Sequence, residues 1–309
     1  MKITEQKLSL MLLSAALLPA ASVYAIDPSH YASQSALASG RWAKISVKEE
    51  GMNLVTDVQL RNLGFTDPQK VRVYGIGGRQ LPTGLTAANI DDLPVLPSVH
   101  TSKGIVFFAT DQVTWTRKGS TSTAPYAHTM HAYSDDVYYF LSDAGTEDYE
   151  MPQTGMPVTS DSPVREFSER VLHESELATA GDFGGQVWGE DFRSKKSQTF
   201  SFTLPDMADD KATVSVSFAA KTIGGTSSIM LSAGGNRLPS TSSDRIAAAS
   251  KPEALGQISQ TTKQVEGLDG KLDLGIEYTY SGVLYQARLD YIEVFYKRKL
   301  ALNKGELYF

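Results

Sequence analysis

Apolar and polar positions alternate most regularly in the second half of the chain. Phe200, Phe202 and Leu204 alternate with Ser and Thr. Ala212, Val214, Val216, Phe218 and Ala220 alternate with Thr213, Ser215, Ser217 and Ala219. Ile229, Leu231 and Ala233 do the same, as do Leu272, Leu274, Ile276, Tyr278 and Tyr280. Each pattern predicts a strand with one face on a core and the other in water, the habit of antiparallel sheets. Ala287–Tyr296 changes phase at Tyr291-Ile292, which predicts a bulge or a strand buried on both faces. Residues 164–309 therefore read as an antiparallel β-sandwich, jelly-roll-like in strand spacing. Asp244–Leu255 has a weak helical pattern, interrupted by Ser250 and Pro252.

The first half carries shorter strands. Ala43, Ile45 and Val47 alternate with polar neighbours, and Met52–Leu54 reads as the return strand of a hairpin turned at Glu49-Glu50-Gly51. Thr56 and Gln59 form a capping-box pattern, with Val55 and Leu60 placed as a hydrophobic staple. Gly64 suits the left-handed end of that short helix, and Pro68 blocks its continuation. Ile105–Ala109 is a continuous apolar run expected in a central strand. Val113 and Trp115 begin another strand, and Val137–Leu141 closes the region. Residues 27–143 are thus expected to form a small β-rich domain with one short helix. The Pro-, Gly- and acid-rich stretch 144–163 reads as a linker. The fold class expected is mainly β, a small β-rich domain followed by a sandwich.

The N-terminus adds an export expectation. Lys2 and Lys7 precede an apolar run, and Val23-Tyr24-Ala25 fits a cleavage site, so residues 1–25 read as a signal peptide. That run falls short of the roughly 20 apolar residues a spanning helix needs. With 29 basic and 35 acidic side chains the net charge is −6, which argues against a nucleic-acid partner. There is no cysteine, so no disulfide, thiolate metal site or cysteine nucleophile exists in these residues. The chain stops on GELYF, the start of a strand, and is expected to be truncated ahead of further sequence.

Candidate chemistry is sparse. His128 and His131 with Asp135 and Asp136 could bind zinc, but the ligand set is incomplete and a polar loop is the favoured reading. Asp91-Asp92 and Asp206 with Asp209-Asp210 lack calcium-loop spacing and read as turn residues. Gly75-Ile76-Gly77-Gly78 reads as a turn and not a phosphate cradle. His173-Glu174 and Glu190-Asp191 are types used in acid–base catalysis, with structural hydrogen bonding favoured. Trp188, Tyr278, Tyr280, Tyr285, Tyr291 and Tyr296 could stack sugars, with core packing favoured. No catalytic residue, metal ligand or cofactor is assigned, and the binding residues are left unknown.

Six segments carry a family resemblance: Ala36–Thr56, Leu60–Gly78, Asp91–Pro97, Ala132–Asp143, Gly184–Phe192 and Arg288–Leu302. In order and spacing they resemble the N-terminal, non-catalytic part of PorU-type sortases of the type IX secretion system, gingipain-like cysteine peptidases. The resemblance implies an accessory region at the outer-membrane cell surface, with secretion components and cargo proteins as partners. In that family the enzyme removes the C-terminal sorting domain of cargo. The catalytic His and Cys would belong to a following domain, so enzyme activity of these residues alone is doubtful. The alternative is a secreted carbohydrate-binding or adhesin-like sandwich.

Overall fold

The computed structural model describes residues 32–48, 50–81, 92–119, 124–145 and 163–302. The expected signal peptide, most of the expected linker, Asp91 and the C-terminal GELYF lie outside these residues. The first strands are β1 (Trp42–Val47), β2 (Gly51–Thr56), β3 (Arg72–Tyr74), β4 (Ser98–Thr101), β5 (Gly104–Ala109), β6 (Val113–Arg117), β7 (Tyr126–Met130) and β8 (Val137–Ser142). A single α-helix among the described residues, α1 (Asp57–Asn62), follows β2. The chain divides into two compact units. One holds the described residues up to Thr114 and those from Met130 to 145; the other takes Trp115–Thr129 and the described residues from 163 onward.

The first unit is built from two three-stranded antiparallel sheets, ordered β1-β8-β3 and β2-β5-β4. The two apolar runs, β5 and β8, occupy the central positions, each burying alternate residues (Ile105, Phe107 and Ala109; Val137, Tyr139 and Leu141), while Phe108 on the other face of β5 is exposed. Leu60, Phe65, Val73, Ile105, Phe107, Tyr139 and Leu141 share the core between the sheets. The capping box is present: Gln59 N–H donates to Thr56 Oγ1 (3.2 Å), and Thr56 N–H donates to Gln59 Oε1 (2.8 Å). Val55 packs against the cluster that holds Leu60. Gly64 takes φ +92°, and Phe65 N–H then donates to Leu60 O (3.1 Å). Pro68 starts a 3-10 turn, Pro68–Lys70, capped by Asp67.

One expectation fails here. β1 and β2 do not form a hairpin. β1 pairs with β8 over Trp42–Val47, and β2 pairs with β5 over Gly51–Thr56. The turn between them is short enough for a hairpin, but each strand finds its apolar partner elsewhere and joins a different sheet. On the far side, the bridge between Tyr74 and Val95 and the bond from Leu96 N–H to Val73 O (2.7 Å) tie β3 to the segment leading into β4.

The second unit continues with β9 (Glu166–Glu174), β10 (Ala178–Thr179), β11 (Val187–Trp188), β12 (Ser197–Thr203), β13 (Met207–Ile223), β14 (Ser227–Ala233), β15 (Asn236–Arg237), β16 (Arg245–Ile246), β17 (Gln257–Val265), β18 (Lys271–Tyr280) and β19 (Val283–Lys299). A four-stranded sheet, β17-β13-β19-β9, faces a second sheet ordered β12-β18-β14-β15, with β16 paired to β14. The alternating apolar residues meet between them: Val214, Val216 and Phe218 from one sheet, Ile229, Leu231, Leu274 and Ile276 from the other. The structure is mainly β throughout, as expected. Asp244–Leu255 is not an α-helix. It holds the end of the 3-10 turn Ser242–Asp244, the short β16, and irregular chain.

The phase change in β19 is a bulge. Phe218 pairs with Leu289 and Ser217 with Tyr291, so Asp290 is the extra residue. The water-facing side expected of β13 is also corrected. Ser215, Ser217 and Ala219 are buried. Two pieces of chain cover that face. One is the β6–β7 hairpin, which the sequence assigned to the first domain. The other is the β10–β11 segment, whose Trp188 packs on Ala180 and Ala219 with Phe183 beside it. Trp188 is fully buried.

Candidate functional site

The covered face of the four-stranded sheet holds a cluster of ionisable side chains, His128, Glu174 and Glu293. Strand register sets its geometry. Glu174 lies opposite Tyr291, Leu172 opposite Glu293, and Arg170 opposite Phe295, so all six share one face. The β6–β7 hairpin lies over them. Trp115 packs edge-on against Phe295 and against the ring of His128. Arg170 sits over the rings of Trp115 and Tyr126.

His128 is held from both sides. Its Nδ1 lies 2.7 Å from Glu293 Oε1, and its Nε2 lies 2.8 Å from Glu174 Oε2. The His128 backbone N–H also donates to Glu293 Oε1 (3.2 Å), and Tyr291 meets the ring edge-on. The side chains of His128 and Glu293 are only 7% and 1% exposed. Burial alone would discharge this imidazole. The hydrogen bonds and charges of Glu174 and Glu293 outweigh burial and raise its pKa from 6.5 to about 9. At neutral pH His128 is therefore a cation donating through both nitrogens. It has no lone pair left for a metal and is a poor general base.

The bulge residue Asp290 extends the cluster. It accepts from Ser217 Oγ (2.8 Å) and Gln186 Nε2 (3.0 Å), and burial raises its carboxyl pKa. Burial likewise pushes the Tyr291 phenol above its usual range. Gln186 and Asp290 come from the two second-half segments that carried the resemblance. Those segments also meet where Arg288 donates to Gly189 O (3.0 Å).

The other predicted residues fall as follows. His131 does not share the partners of His128; its Nδ1 accepts from Tyr133 N–H (3.2 Å) in a turn. Asp136 receives the Tyr138 hydroxyl at 3.3 Å. No group of three or more His, Asp or Glu suited to a metal ion occurs among the described residues. Asp92 accepts from the Ala36 and Leu93 N–H groups and from Ser35, which lowers its pKa. Asp206 pairs with Arg298 (3.2 Å), Asp209 accepts from Lys211 N–H, and Asp210 accepts from Gly267 N–H. All are turn and edge contacts. Gly78 N–H donates to Thr110 Oγ1 (2.8 Å), and a Cβ at Gly78 would strike Asp111 O, so the glycine run is a packed turn.

His173 and Glu190 do meet, at 2.9 Å, with the His173 ring beside Phe200. Among the described residues neither is hydrogen-bonded to a hydroxyl, so the pair lacks a nucleophile. Asp191 caps a turn by accepting from Arg193 N–H and Ser194 Oγ. Trp188, Tyr278 and Tyr296 are buried, which leaves no platform of the six aromatics. Sequence reasoning missed the clamp because its three residues are scattered. The small, uncharged Ser215, Ser217 and Ala219 were the available sign that this face is covered.

No protein-family model matches the chain, and no curated protein matches it. Among solved structures it is similar to dimeric latent PorU from Porphyromonas gingivalis. The TM-score is 0.75 and the identity 32%, covering 87% of this chain and 25% of that one. This chain is PorU-like. It spans about a quarter of that relative's length. A family 35 carbohydrate binding module from Clostridium thermocellum aligns at TM-score 0.26 and 10% identity, over 42% of this chain and 90% of that one. BuGH86 in complex with neoagarooctaose aligns at TM-score 0.26 and 10% identity, over 84% of this chain and 33% of that one. Neither of these two supports an argument about function. No helix among the described residues is long and apolar enough to cross a membrane.

Proposed function

We propose that this PorU-like chain is the N-terminal accessory region of a type IX secretion sortase, exported through the periplasm to the outer-membrane cell surface. In this reading it binds and does not cleave. It positions a peptidase domain, meets outer-membrane secretion components and receives cargo. The observation that carries the proposal is the TM-score of 0.75 at 32% identity over 87% of the chain. The clamp at His128 suits a scaffold: it spends its ionisable groups on holding a hairpin to a sheet. The relative's dimeric, latent form extends the reading to self-association of the parent protein. The test is to read the frame beyond codon 309 and to assay the purified chain with a cargo protein carrying its sorting domain. The expected result is a downstream His- and Cys-bearing domain, and binding of cargo without cleavage. Cleavage by the chain itself, or no such domain and no cargo binding, overturns the proposal.

A further inference from the structure

Strands β6 and β7 form a two-stranded sheet of their own, and among the described residues neither joins a ladder of the four-stranded sheet beneath. The buried core between the two sandwich sheets takes no residue from this hairpin. The face under it is partly polar, with Ser215, Ser217 and Glu293 buried there. Side chains fasten the hairpin to that face. Trp115 and Tyr126 meet Phe295, and His128 sits between Glu174 and Glu293. The sandwich core is thus complete without the hairpin, and the polar part of the attachment converges on one imidazole.

We propose that His128 is a proton latch: loss of one ring proton frees the β6–β7 hairpin from the sheet while the sandwich stays folded. A neutral imidazole has one N–H and one lone pair. Between two carboxylates it can donate to one and must turn its lone pair toward the other. The His128 backbone N–H already donates to Glu293, so the bond to Glu174 is the one that fails. The side chains of His128 and Glu174 are 7% and 15% exposed, so little water is at hand to replace that bond. Release relieves the conflict, because both groups then regain water.

The surrounding groups leave His128 as the switch. From β9 it faces Glu174, with Arg170 further along the same face; from β19 it meets Tyr291, Glu293 and the field of the bulge residue Asp290; from β6 it meets Trp115. Arg170 remains a cation over the rings of Trp115 and Tyr126. Burial pushes the Tyr291 phenol up, so it stays neutral while His128 discharges. Clamped, His128 titrates at about 9 against 6.5 when free. The closed form therefore prefers the proton by about 300-fold. That preference holds the hairpin down fully below pH 6.5 and is lost as pH rises through about 9. The latch lies wholly in the second unit and does not depend on the sortase reading.

The test uses the full chain labelled with 5-fluorotryptophan, followed by fluorine NMR from pH 7 to 10.5. The chain holds three tryptophans, Trp42, Trp115 and Trp188, and Trp115→Phe and Trp188→Phe assign their resonances. The expected result is that the Trp115 signal moves to a solvent-exposed position as pH rises through about 9. The signal of Trp188, buried in the same unit, should stay in place and so report that the sandwich remains folded. Glu174→Gln is the discriminating variant. Its amide can donate to a neutral imidazole, so Trp115 should stay closed through pH 10. His128→Ala should show the open Trp115 position already at pH 7, with Trp188 unmoved. A Trp115 signal unchanged to pH 10.5 overturns the proposal. So does movement of Trp115 and Trp188 together, which would be unfolding of the whole unit, or a Glu174→Gln transition at the same pH as in the unmodified chain.

Discussion

His128 and Glu293 lie 165 residues apart in the chain and 2.7 Å apart in the fold. The bond fastens the β6–β7 hairpin onto β19, and Glu174 completes it from β9. Breaking a buried pair from one side strands the remaining charge, at a cost of about 3–5 kcal/mol. Glu293→Ala should therefore destabilise the second unit by about 3 kcal/mol, read as a lower urea midpoint. Adding His128→Ala should cost less than the sum of the two single changes. Additive losses would show that the two residues do not act as a pair.

The same bond predicts a pH dependence. The pKa of His128 is raised from 6.5 to about 9, so folding favours its protonated form. The stabilisation is fully present below pH 6.5 and is lost as pH rises through about 9. A shift of this size corresponds to at most about 3 kcal/mol. Thermal melting between pH 6 and 10 should show an alkaline decline that His128→Gln flattens.

How much of this could be read beforehand differs by element. The capping box at Thr56 and Gln59 was legible because its bonds span three residues. The sandwich strands were legible because alternation is local. The β1–β2 hairpin was misread because pairing is chosen globally: Trp42 lies opposite Ser142, and Met52 opposite Phe108. Burial of Ser215 and Ser217 was missed for the same reason, since their cover arrives from distant segments. No spacing pattern could have joined His128 to Glu174 and Glu293.

Helix α1 is too short to persist without its caps and docking. Thr56→Ala should cost the first unit about 1 kcal/mol, through the loss of the bond to Gln59 N–H. Gly64→Ala should cost more than about 1 kcal/mol, because φ is +92° and the new Cβ would meet the Arg41 guanidinium. Melting of both variants, followed by far-UV dichroism, checks the order.

Trp188 is fully buried beside Phe183 and Ala219. Its emission should be blue-shifted, and glycan titration should leave it unchanged. Trp188→Ala should destabilise the second unit by about 3–5 kcal/mol. A saturable fluorescence change with a glycan would instead favour the carbohydrate-binding alternative.

The central claim, an accessory role in a type IX secretion sortase, is tested most directly in a bacterium carrying the gene. The codons for residues 32–302 are deleted in frame, and the C-terminal sorting domain of secreted cargo is followed by mass spectrometry. The account predicts that cargo accumulates with its sorting domain uncleaved, and that restoring the deleted codons restores cleavage. Cargo processed and released at the normal level in the deletion strain would contradict it.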